Sequence, residues 1–159
     1  MQIKNISSLI SIPNNHDGRR AFVTNFSDPN LVLSKPYFGG GGGNFVFVAD
    51  SVDTPDNVQT FSGVGGIWKR VNWLKPTIYD AGIYDESLDN TVAFKALLGS
   101  AAVLFKGKKE IDLDNRTLKV TDFIMYSNMF IKNGGLDFRG SAAIDASNFA
   151  YAGLIIGEN

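Results

Sequence analysis

The chain has no cysteine, a single histidine and almost no net charge. Without cysteine it has no disulfide framework, no thiolate zinc site and no thiol nucleophile. Its 15 Lys and Arg residues against 16 Asp and Glu residues create no net field that would attract nucleic acid or an anionic membrane. No apolar run approaches the roughly 18 residues that span a bilayer, and the N-terminus lacks the apolar core of a signal peptide. We therefore expect no nucleic-acid partner, no membrane insertion and synthesis in a reducing cytoplasm.

Glycine and aromatic residues are abundant. Glycine provides 17 of the 159 residues, above its usual share of about 7%. The 12 Phe, 5 Tyr and 2 Trp residues favour a β-rich fold, because aromatic side chains suit a pleated surface. The length predicts one domain or two small ones.

The clearest strand pattern covers residues 44–49, directly after the five glycines at 39–43. Phe45 and Phe47 fall on one face of this strand, and Val46 and Val48 fall on the other. Apolar residues on both faces predict a strand that is covered on both sides.

The surrounding sequence predicts a small antiparallel sheet and one short helix. The isoleucines and leucine of residues 3–10 are spaced as on one helix face, and Pro13 would stop the helix. Two prolines and five glycines make residues 27–43 a predicted loop. Further strands are expected at residues 21–26, 58–61 and 67–71. Because the composition shifts near residues 72–78, we expect two domains, 1–75 and 76–159.

The second half begins with a predicted helix over residues 89–98. Asp89 can cap its free amides, and Gly99 can end it. The buried stripe of this helix is expected to be Ala93, Phe94, Leu97 and Leu98.

From Ala101 onward the pattern is a series of very short strands separated by turn residues: AAVLF, EIDL, TLKV, FIMY, MFIK, LDF and LII. Short strands at close spacing are typical of a solenoid, in which each turn divides the chain into flat faces. The helix at 89–98 would cover the open end of this solenoid.

Two segments carry a resemblance to a known family. Residues 39–71, GGGGGNFVFVADSVDTPDNVQTFSGVGGIWKRV, are similar to the "GGGxFxW…DGG…GGRWxR" block of bacteriophage tailspikes. Residues 78–98, IYDAGIYDESLDNTVAFKALL, resemble the start "FGAxGDGxxDDTxAFxxAL" of the pectate-lyase-like superfamily, with Tyr84-Asp85-Glu86 in place of "GDG". IKNGG at 131–135 and LIIGEN at 154–159 also resemble β-helix turns.

The resemblance implies a mainly β fold: a small antiparallel β N-terminal module followed by the capped first turns of a right-handed parallel β-helix, with two short helices. It also implies a homotrimer in a phage tail that contacts the baseplate or another tail protein. The full-length parent would then degrade a capsular polysaccharide or lipopolysaccharide. The C-terminus LIIGEN stops in mid-repeat, so we expect a fragment of a longer protein.

Motifs for cofactors, metals and nucleophiles are weak. Neither the glycine run at 39–43 nor Gly63-Val-Gly-Gly is followed by the Lys-Ser/Thr of a phosphate loop, so both are interpreted as turns. His16 is expected in a surface turn, because one histidine without clustered carboxylates makes no metal site. Lys106, Lys108 and Lys109 precede acidic residues and predict a solvated turn. We expect no cofactor and no metal.

Carboxylates are the candidates for chemistry, because glycoside hydrolysis needs a pair of Asp or Glu residues. One group surrounds the start of the second helix and consists of Asp80, Asp85, Glu86 and Asp89. The other is Asp112 and Asp114, which alternate with apolar residues and so face outward from a strand. The first group is also explained by the free amides and dipole at the helix start, which stabilise acidic residues, and the second group is equally the default for any solvated strand. In the family that the chain resembles, catalytic residues lie on later turns or between subunits, so we expect no catalytic residue here.

The two tryptophans could stack on sugar rings, although Trp68 is expected to fill the core of the N-terminal module and Trp73 lies near the boundary. Lys69 and Arg70 must point to opposite faces of one strand. Three functions remain open: a structural module of a trimeric tailspike, a small polysaccharide depolymerase, and a carbohydrate-binding module. For the first, we expect Phe45 and Phe47 at the trimer axis.

Overall fold

The computed structural model describes residues 1–27, 39–104, 109–121, 123, 126 and 128–138. The first sheet has the strand order β1-β2-β3-β5-β4, and the second pairs β6 with β7. The elements in chain order are β1 Gln2–Asn5, α1 Ile6–Ile10, β2 Arg20–Asn25, β3 Gly41–Ala49, β4 Thr60–Gly63, β5 Gly66–Val71, a 3-10 turn Ile78–Ala81, α2 Thr91–Leu104, β6 Lys109–Lys119 and β7 Met129–Asp137. The prediction of a mainly β protein with two short helices is confirmed.

The N-terminus differs from the expected helix at 3–10. Residues Gln2–Asn5 form β1, which pairs parallel with β2, whereas the other pairs of this sheet are antiparallel. The helix starts only after Asn5, whose side-chain oxygen accepts a hydrogen bond from the Ser8 amide at 2.9 Å. Asparagine at this position satisfies a free amide of the first turn and fixes the helix start.

The glycine run is only partly a loop. β3 begins at Gly41, and Gly41 and Gly43 pair with Asn25 and Val23 of β2. A Cβ on Gly42 would lie 2.2 Å from the carbonyl oxygen of Val23. Gly41 and Gly42 therefore extend the strand where the neighbouring backbone leaves no room for a side chain.

Aromatic side chains fill the core of the first sheet. Phe45 and Phe47 are buried on one face of β3, together with Phe61 and Trp68. Val46 and Val48 on the opposite face are half-buried. Because Phe45 and Phe47 lie inside the core of a single chain, the expectation that they meet copies at a trimer axis is wrong.

Helix α2 is longer than predicted. It continues through Gly99 to Leu104, so the segment AAVLF begins as helix rather than as strand. Phe94, Leu97, Leu98 and Ala101 are fully buried, as the expected stripe required, and Ala93 is half-buried. Burial of Leu98 and Ala101 on both sides of Gly99 outweighs the roughly 1 kcal/mol by which glycine disfavours a helix.

The second sheet has the parallel pairing of a solenoid. Lys109 pairs with Met129 and Lys119 with Asp137, so neighbouring rungs lie about twenty residues apart along the chain. EIDL and TLKV join into β6, and MFIK and LDF join into β7. The strands bend at Asp114, Asn115 and Asn133, which have positive φ.

An additional rung precedes β6, because Thr77 bridges parallel to Asp112 and Asp89 bridges parallel to Lys119. Helix α2 then packs its buried residues on Ile78, Ile111 and Leu113 in a second core cluster. Lys109, expected in a solvated turn, is instead buried at the start of β6. LII at 154–156 lies outside the described residues, as do Lys106, Lys108, Ile124 and Met125.

Candidate functional site

A buried ion pair joins the first sheet to the start of the solenoid. The Nη1 atom of Arg70 on β5 lies 3.0 Å from Oδ1 of Asp80 in the 3-10 turn. The guanidinium also donates to the carbonyl oxygens of Val58, at 3.1 Å, and of Gly41 and Gly42 in β3. The Arg70 side chain thereby connects β3 and β5 to the residues before β4 and to the 3-10 turn.

The second oxygen of Asp80 completes this node. Its Oδ2 accepts hydrogen bonds from the Trp73 indole at 3.0 Å and from the Thr77 amide at 2.8 Å. Burial lowers the pKa of Arg70, and the negative charges of Asp80 and Asp56 offset part of this shift. A buried pair that is so fully hydrogen-bonded costs much when one partner is lost, because a buried charge remains.

Glycine in β3 allows the two parts of the chain to touch. A Cβ on Gly41 would lie 1.9 Å from the carbonyl oxygen of Tyr79, and one on Gly40 would lie 3.0 Å from the Tyr79 ring. The backbone of the 3-10 turn therefore lies directly on the glycine run. The glycines that resemble the tailspike block are the surface on which the solenoid start rests.

Tyr79 continues the junction toward β6. Its hydroxyl donates to Oδ2 of Asp114 at 2.5 Å and accepts from Nε of Arg116 at 3.1 Å. Arg116 is buried and also donates to the carbonyl oxygen of Tyr84. Burial raises the pKa of the Tyr79 hydroxyl, and the hydrogen bond to Asp114 raises it further. A raised pKa opposes any role for Tyr79 as a base near neutral pH.

A second tie links the turn before β4 to α2. Oδ1 of Asp56 accepts the amides of Val58, Gln59 and Thr60 at 2.8–3.0 Å, while Oδ2 accepts the Ser100 hydroxyl at 2.6 Å. Burial acts to raise the pKa of Asp56, but the hydrogen bonds outweigh it and the net pKa is lowered. Asp56 is thus an ionised anchor between the first sheet and the helix.

Two of the acidic residues before α2 accept hydrogen bonds from backbone amides. The helix begins at Thr91, two residues later than predicted, and Oδ1 of Asp89 accepts the free Thr91 amide at 2.9 Å. Oδ1 of Asp85 accepts the Ser87 amide at 2.9 Å. Asp80 lies apart in the ion pair with Arg70, and Glu86 is half-buried. The structure does not assemble these four residues around one space.

Asp112 and Asp114 lie on the outer side of β6, as predicted, and both are engaged by neighbours. The Asn133 side-chain amide lies 3.1 Å from each oxygen of Asp112, and Lys132 approaches the same carboxylate at 4.0 Å. Asp114 lies in the bend of β6 and accepts from Tyr79. That the chain contains no catalytic residue remains a prediction.

The other candidates have structural positions. Trp68 is fully buried in the aromatic core, as expected, and the half-buried Trp73 donates to Asp80. Lys69 pairs with Asp53 at 2.8 Å on the face opposite Arg70, which confirms their opposite orientations. His16 lies in an exposed turn. The described residues contain no group of three or more His, Cys, Asp and Glu side chains that could hold a metal.

Sequence reasoning missed the ion pair between Arg70 and Asp80. The available signal was the alternation of β5, which places Arg70 on the same face as the buried Trp68. An arginine on an apolar face requires a buried acceptor, and Asp80 is the acid that follows it closely in the chain.

No helix within the described ranges has the length and apolar character needed to cross a membrane.

Residues 2–73 match the family model described as "Phage tail protein small four-stranded beta-sheet domain". A search of curated proteins finds no match.

Several solved structures share the fold. Tailspike protein gp49 from Acinetobacter baumannii bacteriophage Fri1, a capsular polysaccharide depolymerase, aligns with a TM-score of 0.63 at 17% identity, over 84% of this chain and 22% of that one. The enzymatically active domain of tailspike protein 4 from bacteriophage CBA120 aligns at 0.58 and 22% identity, over 90% of this chain and 19% of that one. Pantoea stewartii WceF, a glycan biofilm modifying enzyme with a tailspike-like parallel β-helix, aligns at 0.51 and 18% identity, over 82% of this chain and 21% of that one.

The chain thus spans about a fifth of the length of these structures. The resemblance to phage tailspikes is confirmed: the family model for the first sheet describes a phage tail protein domain, and most of the chain aligns with the fold of tailspike proteins. The fold is mainly β and includes the parallel pairing of a tailspike-like β-helix.

Proposed function

We propose that this chain is the N-terminal structural part of a trimeric phage tailspike. It connects the spike to the virion and begins the β-helix of a polysaccharide-degrading parent. The phage baseplate or another tail protein is its partner at the virion end, and the assembled protein resides in the phage tail. Residues 1–75 form the attachment module, and residues 76–159 begin the β-helix.

The observation that carries this proposal is the buried junction. Arg70, Asp80 and the glycine run fix the first sheet against the first rung with no flexible linker between them. A catalytic module does not need such a connection. A part that holds a β-helix in a fixed position on a virion does need one. The phage tail protein family model over residues 2–73 supports a place for the first sheet in a phage tail.

The assembly state tests the structural part of the proposal. Size-exclusion chromatography with light scattering on the whole chain should give three times the monomer mass, and dilution should lower the melting temperature. A monomer at all concentrations would contradict the trimer.

Attachment to the virion is tested during infection by the parent phage. The whole chain with a fluorescent protein at its C-terminus should co-sediment with particles. The same fusion carrying Asp80→Ala lacks the ion-pair partner of the buried Arg70. This variant is the matched control, because it shows whether attachment depends on a folded junction. If particles carry no fluorescent label when the unaltered chain is used, an attachment role is excluded.

The second candidate is a polysaccharide depolymerase with activity within this chain, and the position of Asp112 and Asp114 on the outward face of β6 favours it. We expect no turnover when the chain is incubated with a panel of bacterial surface glycans and assayed for reducing ends or unsaturated uronates. Turnover that Asp112→Asn or Asp114→Asn abolishes would establish the enzyme instead. A carbohydrate-binding module is less well supported, because Trp68 is buried and the indole of Trp73 is engaged by Asp80.

A further inference from the structure

The bend of β7 carries a chemically reactive pair of residues, Asn133-Gly134, which is the only Asn-Gly pair of the sequence. Both residues are exposed. In such a pair the backbone nitrogen of the glycine can attack the side-chain carbonyl carbon of the asparagine, because the glycine has no Cβ to hinder the approach. The attack expels ammonia and turns the side-chain amide into an acid, a change called deamidation.

The fold requires this pair where it stands. Asn133 has a φ of 55°, in the left-handed region that asparagine tolerates better than most residues. A Cβ on Gly134 would lie 2.3 Å from the carbonyl oxygen of Arg116 and 2.6 Å from Cβ of Leu113. The pairing of β6 with β7 therefore excludes a side chain at Gly134, and a bulkier residue cannot protect the asparagine.

The carboxylate of Asp112 holds the reactive amide. Nδ2 of Asn133 lies 3.1 Å from Oδ1 and 3.1 Å from Oδ2 of Asp112. Hydrogen bonds to an ionised acceptor are strong and fix the orientation of the amide. Attack on the amide also builds negative charge on its oxygen, and a neighbouring carboxylate opposes that charge. Asp112 is therefore placed to slow the reaction.

We propose that Asn133 is a deamidation site and that Asp112 controls its rate in the folded chain. The Gly134 nitrogen forms a bond to Cγ of Asn133, and its proton passes through water to the side-chain nitrogen, which leaves as ammonia. The product is a five-membered succinimide ring. Water then adds to either carbonyl of the ring and gives aspartate or isoaspartate, so water is the only other reactant.

Both products weaken the contact between the two rungs. Aspartate at position 133 places a second carboxylate against Asp112, where the amide had donated hydrogen bonds, and like charges at this distance repel. Isoaspartate lengthens the backbone by a methylene group and displaces Gly134 from its partner Arg116. Deamidation thus changes the first rungs irreversibly, without any other protein.

Peptide mass spectrometry on the whole chain, incubated in mildly alkaline buffer, measures conversion at Asn133. Asp112→Asn keeps the shape of the side chain and removes its charge. In the folded state it should deamidate about tenfold faster than wild type or more, because hydrogen bonds to charged groups are the stronger ones. Glu110→Gln is the matched control, because it removes the neighbouring carboxylate that pairs with Lys132, and it should keep the wild-type rate.

Two further measurements separate the contact with Asp112 from the reactivity of the pair itself. In urea all three chains should convert at the same rate, since the contact exists only in the folded state. Asn133→Gly accepts the positive φ and has no side-chain amide. Its melting temperature should stay constant during incubation, whereas that of wild type should fall as the products accumulate.

Each outcome decides one part of the proposal. Equal rates for folded wild type and folded Asp112→Asn, with matching circular dichroism spectra, would overturn the control by Asp112. Wild type that converts as fast when folded as in urea would overturn it as well. If Asn133 stays unmodified in every folded chain while the unfolded chains are converted, the site itself is excluded. The proposed attachment role stands in all of these cases.

Discussion

In the first sheet, strands β2 to β5 pair antiparallel, and aromatic rings fill the core. The rings of Phe47 and Trp68 meet edge to face at 5.2 Å, and those of Phe45 and Phe61 meet at 5.7 Å. Strands β6 and β7 instead pair parallel, over a core dominated by isoleucine and leucine.

This difference shows how each region is stabilised. Large rings supply enough buried area for a small sheet to hold itself together. The rungs have smaller side chains, and they depend on α2 for cover. They also depend on the polar junction for their position relative to the first sheet. The predictions below separate these two kinds of support.

The largest expected effect is the loss of the ring that holds α2 on the rungs. Phe94→Ala should destabilise the chain by about 3–5 kcal/mol, because a fully buried ring leaves a cavity. Val92→Ala in the same helix is the control, and urea unfolding measures both. A loss below about 0.5 kcal/mol for Phe94→Ala would mean that α2 does not cover the core.

Removing the acid of the junction should have the next largest effect. Asp80→Ala leaves the Arg70 guanidinium buried without its ion-pair partner and should cost about 3–4 kcal/mol. Asp53→Ala breaks the exposed pair with Lys69 and should change the melting temperature little. Equal effects of the two substitutions would show that the junction does not depend on buried charge.

A smaller effect is expected from filling the contact between the two regions. Gly41→Ala and Gly65→Ala both place a side chain at positive φ, but only Gly41 faces a close carbonyl oxygen. Gly41→Ala should therefore cost about 1–3 kcal/mol more than Gly65→Ala in thermal unfolding. Identical losses would mean that the 3-10 turn moves away from β3 without cost.

The smallest effect concerns pH. The folded-state pKa of Asp56 is lowered, so its contribution is present above the unfolded pKa of about 3.9 and is lost as pH falls through the folded value. Between pH 5 and pH 2 the wild-type melting temperature should therefore fall more steeply than that of Asp56→Asn. Parallel pH profiles would show that ionised Asp56 does not anchor α2.

Periodicity predicted the elements that have one buried face. The strand through Phe45 and Phe47 and the stripe of α2 from Phe94 to Leu98 were recognisable because apolar residues recur at intervals of two or of three and four. The resemblance at residues 78–98 added the order of the elements, which periodicity alone does not supply.

The differences arose where tertiary contacts outweigh local preference. Gly41 extends a strand because the Tyr79 backbone requires the space, and Gly99 remains helical because its neighbours are buried. The alternation of β5 shows only that Arg70 faces inward, and the identity of its partner depends on how the two regions dock. For the same reason the placement of Phe45 and Phe47 at an axis failed, since their own chain already covers them.

The seat of the Tyr79 backbone on the glycine run has a mechanical consequence. The rungs cannot rotate about their long axis without driving the Tyr79 carbonyl into β3 or pulling Arg70 away from its acceptors. A torque applied at one end of the chain therefore passes to the other as a rigid rotation. The glycines, which have no side chain, therefore set the resistance of this junction to twisting rather than to stretching.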